Sequence, residues 1–231
     1  MAVFHLPPDW PTTPEAAQAL QAQLAAQVRT TDDLPPIHTV AGVDVGFVEN
    51  NQVARAAIAV LRYPDLQLQD QAIAYLPVDF PYIPGLLSFR EIPVILAALN
   101  QLTHLPDLLL CDGQGIAHPR RCGIACHLGL ITDIPAIGVA KSRLVGHHAP
   151  VPDRPGAWQP LIDRGEIIGA ALRTRPGTNP LYVSPGHRIS LTTSIAHVLN
   201  CTRRYRLPET TRLAHKLASR RPTQPYQCEL L

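Results

Sequence analysis

Aromatic side chains are scarce in this chain. Phe, Trp and Tyr supply 5% of its 231 residues, so any core must be built mainly from Leu, Ile, Val and Ala. No apolar run approaches the ~18 residues needed to cross a bilayer. The opening MAVFHLPPDW has no charged region followed by an apolar one, as a secretory leader would. Five cysteines, odd in number and irregularly spaced, do not make a disulfide framework, so a reduced cytoplasm is the expected location. Cys122-x-x-x-Cys126-His127 lacks a second half at zinc-ligand spacing. Neither a Gly-x-Ser-x-Gly elbow nor a Walker loop is present, which removes the usual serine-hydrolase and P-loop readings.

What is present is a hydrophobic fraction of 46%, ample for one core, punctuated by 24 prolines. The length suits a single domain over residues 1–231, and no internal repeat or linker divides it. A net charge of +2 excludes little, but its distribution is uneven. From Cys201 to Arg221 the basic residues include Arg203, Arg204, Arg206, Arg212, Lys216, Arg220 and Arg221, against one acid, Glu209. A second cluster is His118-Pro-Arg120-Arg121. Such stripes suit a phosphate backbone, although charge alone equally describes solvated surface.

Leu20, Leu24 and Val28 recur at helical spacing within residues 14–29. Strand-like runs follow at Thr39–Val48, Val53–Tyr63 and Leu68–Val78, the first two joined by a polar hairpin turn. A proline-rich stretch then precedes a helix over Leu87–Leu102. Beyond it the pattern predicts a strand at Leu108–Cys111, a helix at Gly123–Ile131 and a strand at Ala136–Val139. Residues 150–160, with four prolines, read as loop. Strands at Ile167–Arg173 and Leu181–Ser184 and helices near 190–200 and 208–221 complete the chain. Three consecutive strands, then strands alternating with helices, predict a mixed β-sheet flanked by α-helices, an order that a ribonuclease-H-like α/β fold shares with other folds.

Three acids stand out against this background. Asp44 interrupts the apolar run Val40-Ala-Gly-Val-Asp-Val, where a carboxylate is costly unless paired, hydrogen-bonded or metal-bound. Asp112 follows Leu108-Leu-Leu-Cys111 directly, at the strand end where ligands gather in α/β sheets. Asp112-Gly113 is also ordinary turn chemistry. Glu91, in Ser88-Phe-Arg-Glu91, fits a helix capping box, but Pro93 would then fall where a helix makes a backbone hydrogen bond. Together the three meet one demand: Mg2+ is held by carboxylates, and metals can activate water in phosphodiester cleavage.

Five segments resemble the endonuclease V family, in the family's order and over nearly the whole chain. They are Gly42-Val-Asp44-Val, Pro81-Tyr-Ile-Pro-Gly-Leu-Leu-Ser-Phe-Arg-Glu91, Asp112-Gly-Gln-Gly-Ile-Ala-His118-Pro-Arg-Arg, Gly138-Val-Ala-Lys141-Ser and Val183-Ser-Pro-Gly-His187. Many family members carry Ser or Thr where this chain has Gly46, a departure that leaves the carboxylate in place. The resemblance implies a ribonuclease-H-like fold and a DNA-repair enzyme that recognises deaminated bases, chiefly deoxyinosine. It implies hydrolysis of the second phosphodiester bond 3′ to the lesion, with Mg2+ as cofactor and Mn2+ able to substitute.

The resemblance makes Asp44 and Asp112 metal ligands, with Glu91 completing the acidic site. His118 is expected to orient the reacting phosphate or water, and Lys141 to offset phosphate charge. Pro81, Tyr82, Ile83 and Pro84 resemble the family's wedge into the base stack. Gly113, Gly115 and Gly123, with Leu87, are expected to line a pocket for the extruded base, although turn and helix-start glycines look the same. His215 matches a histidine near the family's active site, and Arg212 and Lys216 are expected on the DNA backbone. The expected partner is deaminated DNA, bound by a monomer without a membrane. Two alternatives stay open: an inosine-specific endoribonuclease on the same fold, and a non-catalytic nucleic-acid-binding module.

Overall fold

Alternating apolar residues fold the first half of the chain into a meander. Strands β1 (Thr39–Val48), β2 (Val53–Arg62) and β3 (Leu68–Pro77) each run antiparallel to the next. Glu49, Asn50 and Asn51 turn the first hairpin with positive φ of 50°, 56° and 67°, a conformation Asn tolerates better than most residues. The computed structural model describes residues 3–219; Arg220 and Arg221, part of the basic stretch, lie outside them.

Helix α2 (Ser88–Leu99) carries the chain to β4 (Leu108–Cys111), which lies parallel beside β1. Helix α3 (Ile124–Thr132) carries it on to β5 (Ala136–Ala140), parallel to β4. An antiparallel set follows: β6 (Trp158–Asp163), β7 (Glu166–Leu172) and β8 (Leu181–His187), with β8 paired to β5. The eight strands form one mixed sheet in the order β3-β2-β1-β4-β5-β8-β7-β6. This is the expected ribonuclease-H-like arrangement.

Both faces are covered, so the central strands read as continuous apolar runs instead of alternating. Leu109 and Cys111 of β4 join Ile92, Ile95 and Leu128 on the face of α2 and α3. Leu108 and Leu110 join Ile195 and Val198, from α4 (Leu191–Asn200), on the other. Helix α5 (Glu209–Ala218) lies on that second face against β1 and β2.

Two expectations fail. The N-terminal helix α1 (Pro14–Ala25), capped by Thr13, stops short of residue 29 and buries Ala17 and Gln21, leaving Leu20 and Leu24 only half-buried. Beyond it, Gln27 and Val28 bond back to Leu24 and Ala25 in tight turns. The proline-rich loop ends early because Trp158 opens β6. Pro160 is tolerated there because β6 is an edge strand. Arg164 and Gly165, with φ of 54° and 80°, close a two-residue hairpin onto β7.

Candidate active site

The parallel pairing of β1 and β4 sets Val43 opposite Cys111, so the next residues, Asp44 and Asp112, stand side by side. The Asp112 amide donates to the Val43 carbonyl at 2.9 Å. His215 of α5 closes the group, its Nδ1 lying 2.8 Å from Asp44 Oδ2. One ligand atom from each of Asp44, Asp112 and His215 lies within 4.8 Å of the others.

Sequence reasoning missed why α5 comes so near. Gly42 and Gly46 flank Asp44 two residues away on either side, so all three face α5. A Cβ at Gly42 would sit 2.1 Å from the Thr210 carbonyl, and one at Gly46 would sit 3.3 Å from the Ala218 oxygen. The helix backbone therefore rests directly on the strand, and His215, between those two contacts, reaches Asp44. The signal was present as Gly42-x-Asp44-x-Gly46.

Burial, then repulsion from Asp112, raises the Asp44 pKa; the bond from His215 and the charge of Lys141 oppose the rise. Glu91, in the first turn of α2, is held well above the carboxylate range by burial first, then by Asp44 and Asp112. It lies outside the 4.8 Å trio. No hydrogen bond or ion pair engages its side chain among the described residues. The capping box does not form: Leu87 is the cap, and Ser88 Oγ instead bonds His127 Nδ1 at 3.1 Å. Lys141, just past β5, pairs with Asp112.

Glu91, Asp112 and Lys141 line a cavity of about 400 Å3. Tyr82, Ile83, Pro84, Leu87, Gly113 and Gly123 line the same cavity. The loop carrying Tyr82 is anchored at both ends, since Phe80 and Leu86 are buried, while Tyr82 itself is 69% exposed. The Leu86 amide donates to the Ile83 carbonyl at 2.9 Å across Pro84 and Gly85, whose φ is +81°. This is the Pro-Gly pattern of a type II turn.

Gly115 does not line the cavity. Its missing Cβ would meet the Pro185 carbonyl at 2.0 Å, and that of Gly123 would meet the Gln114 carbonyl at 2.3 Å, so both glycines serve close backbone packing. His118 is buried with both ring nitrogens engaged. Nδ1 accepts from the Arg120 amide at 3.2 Å, which leaves Nε2 to donate to the Gly85 carbonyl at 3.0 Å. Burial, then the Arg120 charge, lowers its pKa to about 4, so the ring is neutral. The expected contact of His118 with phosphate or water would require one of these bonds to break.

The family model for Endonuclease V matches residues 22–216. The chain belongs to the Endonuclease V family. It is 59% identical over 219 residues to Endonuclease V of Trichormus variabilis, covering 94% of this chain and 99% of that one. The fold matches the crystal structure of Endonuclease V from Streptomyces avermitilis with a TM-score of 0.87 and 43% identity, over 94% and 96% of the two chains. Endonuclease V from Ciona intestinalis was solved in complex with a 23mer DNA containing an inosine followed by a ribo-adenosine. It matches at TM-score 0.77 and 28% identity, over 89% of this chain and 96% of that one.

In this Endonuclease V family member the basic helix is less free than its sequence implies. Arg212 Nε bonds Glu209 at 3.0 Å, and its guanidinium lies 4.9 Å from the Tyr205 ring centroid. Lys216 is exposed. Among the described residues, no helix is long and apolar enough to cross a membrane.

Proposed function

We propose that this nuclease repairs DNA by recognising deaminated bases, chiefly deoxyinosine, and hydrolysing the second phosphodiester bond 3′ to the lesion. The inosine stays in the nicked strand. The observation that carries the reading is one cavity lined both by the acids Glu91 and Asp112 and by the exposed Tyr82. The same reading takes residues 1–231 as one catalytic unit, acting as a monomer in the cytoplasm.

A divalent cation fits this donor set. Asp44 and Asp112 offer carboxylate oxygens, and their mutual repulsion is what a cation would relieve. His215, bonded to Asp44, orients that carboxylate, and Glu91 is close enough to the pair for both aspartates to oppose its ionisation, a penalty a cation would relieve. Mg2+, or Mn2+ with its similar taste for carboxylate and water, would supply a more acidic water and neutralise the leaving oxygen. Lys141, beside Asp112, offsets charge on the phosphate.

Base recognition is assigned to Tyr82 and its loop, which line the same cavity. A paired base must leave the stack at a cost of a few kcal/mol before it enters a pocket. The ring of Tyr82, held out by Pro81, Ile83 and Pro84, fills the space it leaves. Gly113, Gly123 and Leu87 line the pocket that receives it.

A non-catalytic binding module would have no use for three mutually repelling acids, Glu91 buried and Asp44 and Asp112 half-buried. An endoribonuclease acting on inosine would share every feature named, and matched RNA and DNA substrates separate the two. The test of the site itself is Asp44→Asn and Asp112→Asn, which keep shape and remove charge. Each is expected to abolish Mg2+-dependent nicking in a folded protein. Near-normal nicking by either at low Mg2+ removes that residue from the site.

A further inference from the structure

The N-terminal helix contributes one buried polar side chain, Gln21, and it is committed to the loop that carries Tyr82. Gln21 is 1% exposed, and both ends of its amide are used. Nε2 donates to the Cys122 carbonyl at 2.6 Å and to the Gly85 carbonyl at 3.2 Å. Oε1 accepts from Arg120 Nε at 2.5 Å. Arg120 Nη2 also donates to the Gly85 carbonyl, at 2.8 Å, as does His118 Nε2 at 3.0 Å. Three donors, one of them a guanidinium, thus converge on a single carbonyl oxygen three residues from Tyr82.

That oxygen is well chosen as a handle. Gly85 lies in the left-handed region at φ +81°, and a Cβ there would stand 3.1 Å from Arg120 Nη2, crowding the clasp. Pro81 and Pro84 have fixed φ, and the Leu86–Ile83 bond closes the turn, so few torsions separate the clasped carbonyl from the exposed ring. The donors come from α1 and from His118 and Arg120, in the segment that leads into Gly123, and Gln21, His118 and Gly123 all line the cavity. The clasp therefore ties the wedge to the pocket it serves.

We propose that Gln21, with Arg120, is a positioning residue that holds Tyr82 over the base pocket through the Gly85 carbonyl. The inference rests on the wedge reading above. Ordering the loop before DNA binds lowers the entropy lost when the ring enters the stack.

The test is a double-mutant cycle between Gln21→Met, which keeps length and loses the hydrogen bonds, and Tyr82→Ala. Single-turnover nicking of inosine in duplex and in single-stranded DNA is measured for all four proteins, after thermal melts show that each is folded. The clasp predicts that Gln21→Met lowers the duplex-to-single-strand ratio about tenfold when Tyr82 is present, and by less than about twofold in the Tyr82→Ala background. Arg120→Lys, which keeps the charge but cannot reach both partners, is run the same way and replaces Gln21→Met if that variant does not fold. An equal fall in both backgrounds, or an unchanged ratio for Gln21→Met, refutes the clasp. If Tyr82→Ala alone leaves the ratio at the wild-type value, the wedge reading itself fails, and the inference with it.

Discussion

The contact between α5 and β1 makes a sharp demand on Gly42. An added Cβ would lie 2.1 Å from both C and O of Thr210 and 2.6 Å from the Thr211 nitrogen, all backbone atoms that no rotamer can move. Ordinary contact begins near 3.4 Å, so in Gly42→Ala the helix must retreat by ~1.3 Å. The bond from His215 Nδ1 to Asp44 Oδ2 would then open from 2.8 Å to about 4 Å, beyond hydrogen-bond reach. Overpacking of this kind costs ~1–3 kcal/mol, which in a protein of this size lowers Tm by roughly 2–12 °C. Misplacing a group at the chemistry by ~1 Å costs about 100-fold in rate. Gly46→Ala is the internal control. Its Cβ would stand 3.3 Å from one carbonyl oxygen, so nicking should fall no more than a few-fold. Melting curves and single-turnover nicking of an inosine duplex, on the same preparations, measure both effects. A Gly42→Ala protein that melts and nicks like wild type would refute the argument that this close approach places His215.

Glu91→Gln removes a carboxyl whose ionisation is penalised by burial and by two neighbouring acids, so without divalent metal at pH 8 it should raise Tm, by about 2–8 °C for ~1–2 kcal/mol. Nicking should fall at least ~100-fold. Because the folded pKa of Glu91 is raised, its penalty is absent below the unfolded value of ~4.3 and complete above the folded one. The Tm gain should therefore disappear on acidification; a lower Tm at pH 8 would mean that the carboxylate makes a stabilising contact. Lys216→Ala should weaken binding to inosine and ordinary duplexes alike and reduce the salt-dependence slope by about one. Arg212→Ala should do less, because Arg212 is already engaged by Glu209 and Tyr205, and an equal or larger change in slope would contradict that.

Where residues are coupled over short range, the sequence was legible. β1 and β4 have the predicted ends because apolar runs stop at a polar turn and at Asp112. The same runs exposed Asp44 within a strand and Asp112 directly after one. Pro93, however, was no evidence against the capping box, because it sits inside α2 and the box is lost to the Ser88–His127 bond instead. Tertiary contact decided what was not legible. β6 exists because an edge position forgives Pro160, which the composition of residues 150–160 concealed. Leu20, Leu24 and Val28 promised a longer α1, but the sheet is covered by other helices, and α1 instead buries Gln21 to bind distant carbonyls. His215 meets Asp44 across 171 residues, and only the closeness allowed by Gly42 and Gly46 makes that pairing possible. His118 lines the cavity as its motif suggested, but its two backbone partners, Gly85 far along the chain and Arg120 close by, depend on tertiary folding and could not be read from sequence.

The central claim concerns where one bond breaks, so cleavage is best mapped on the DNA itself. Duplexes carrying a single deoxyinosine, and matched duplexes without it, are end-labelled and incubated with the protein in Mg2+ or in EDTA. Products are then sized to single-nucleotide resolution. The account predicts one nick, at the second phosphodiester bond 3′ to the inosine, with the inosine retained in the labelled 5′ fragment. It predicts no product in EDTA and none from the unmodified duplex. Equal cutting of both duplexes, or a cut that releases the inosine, would contradict it.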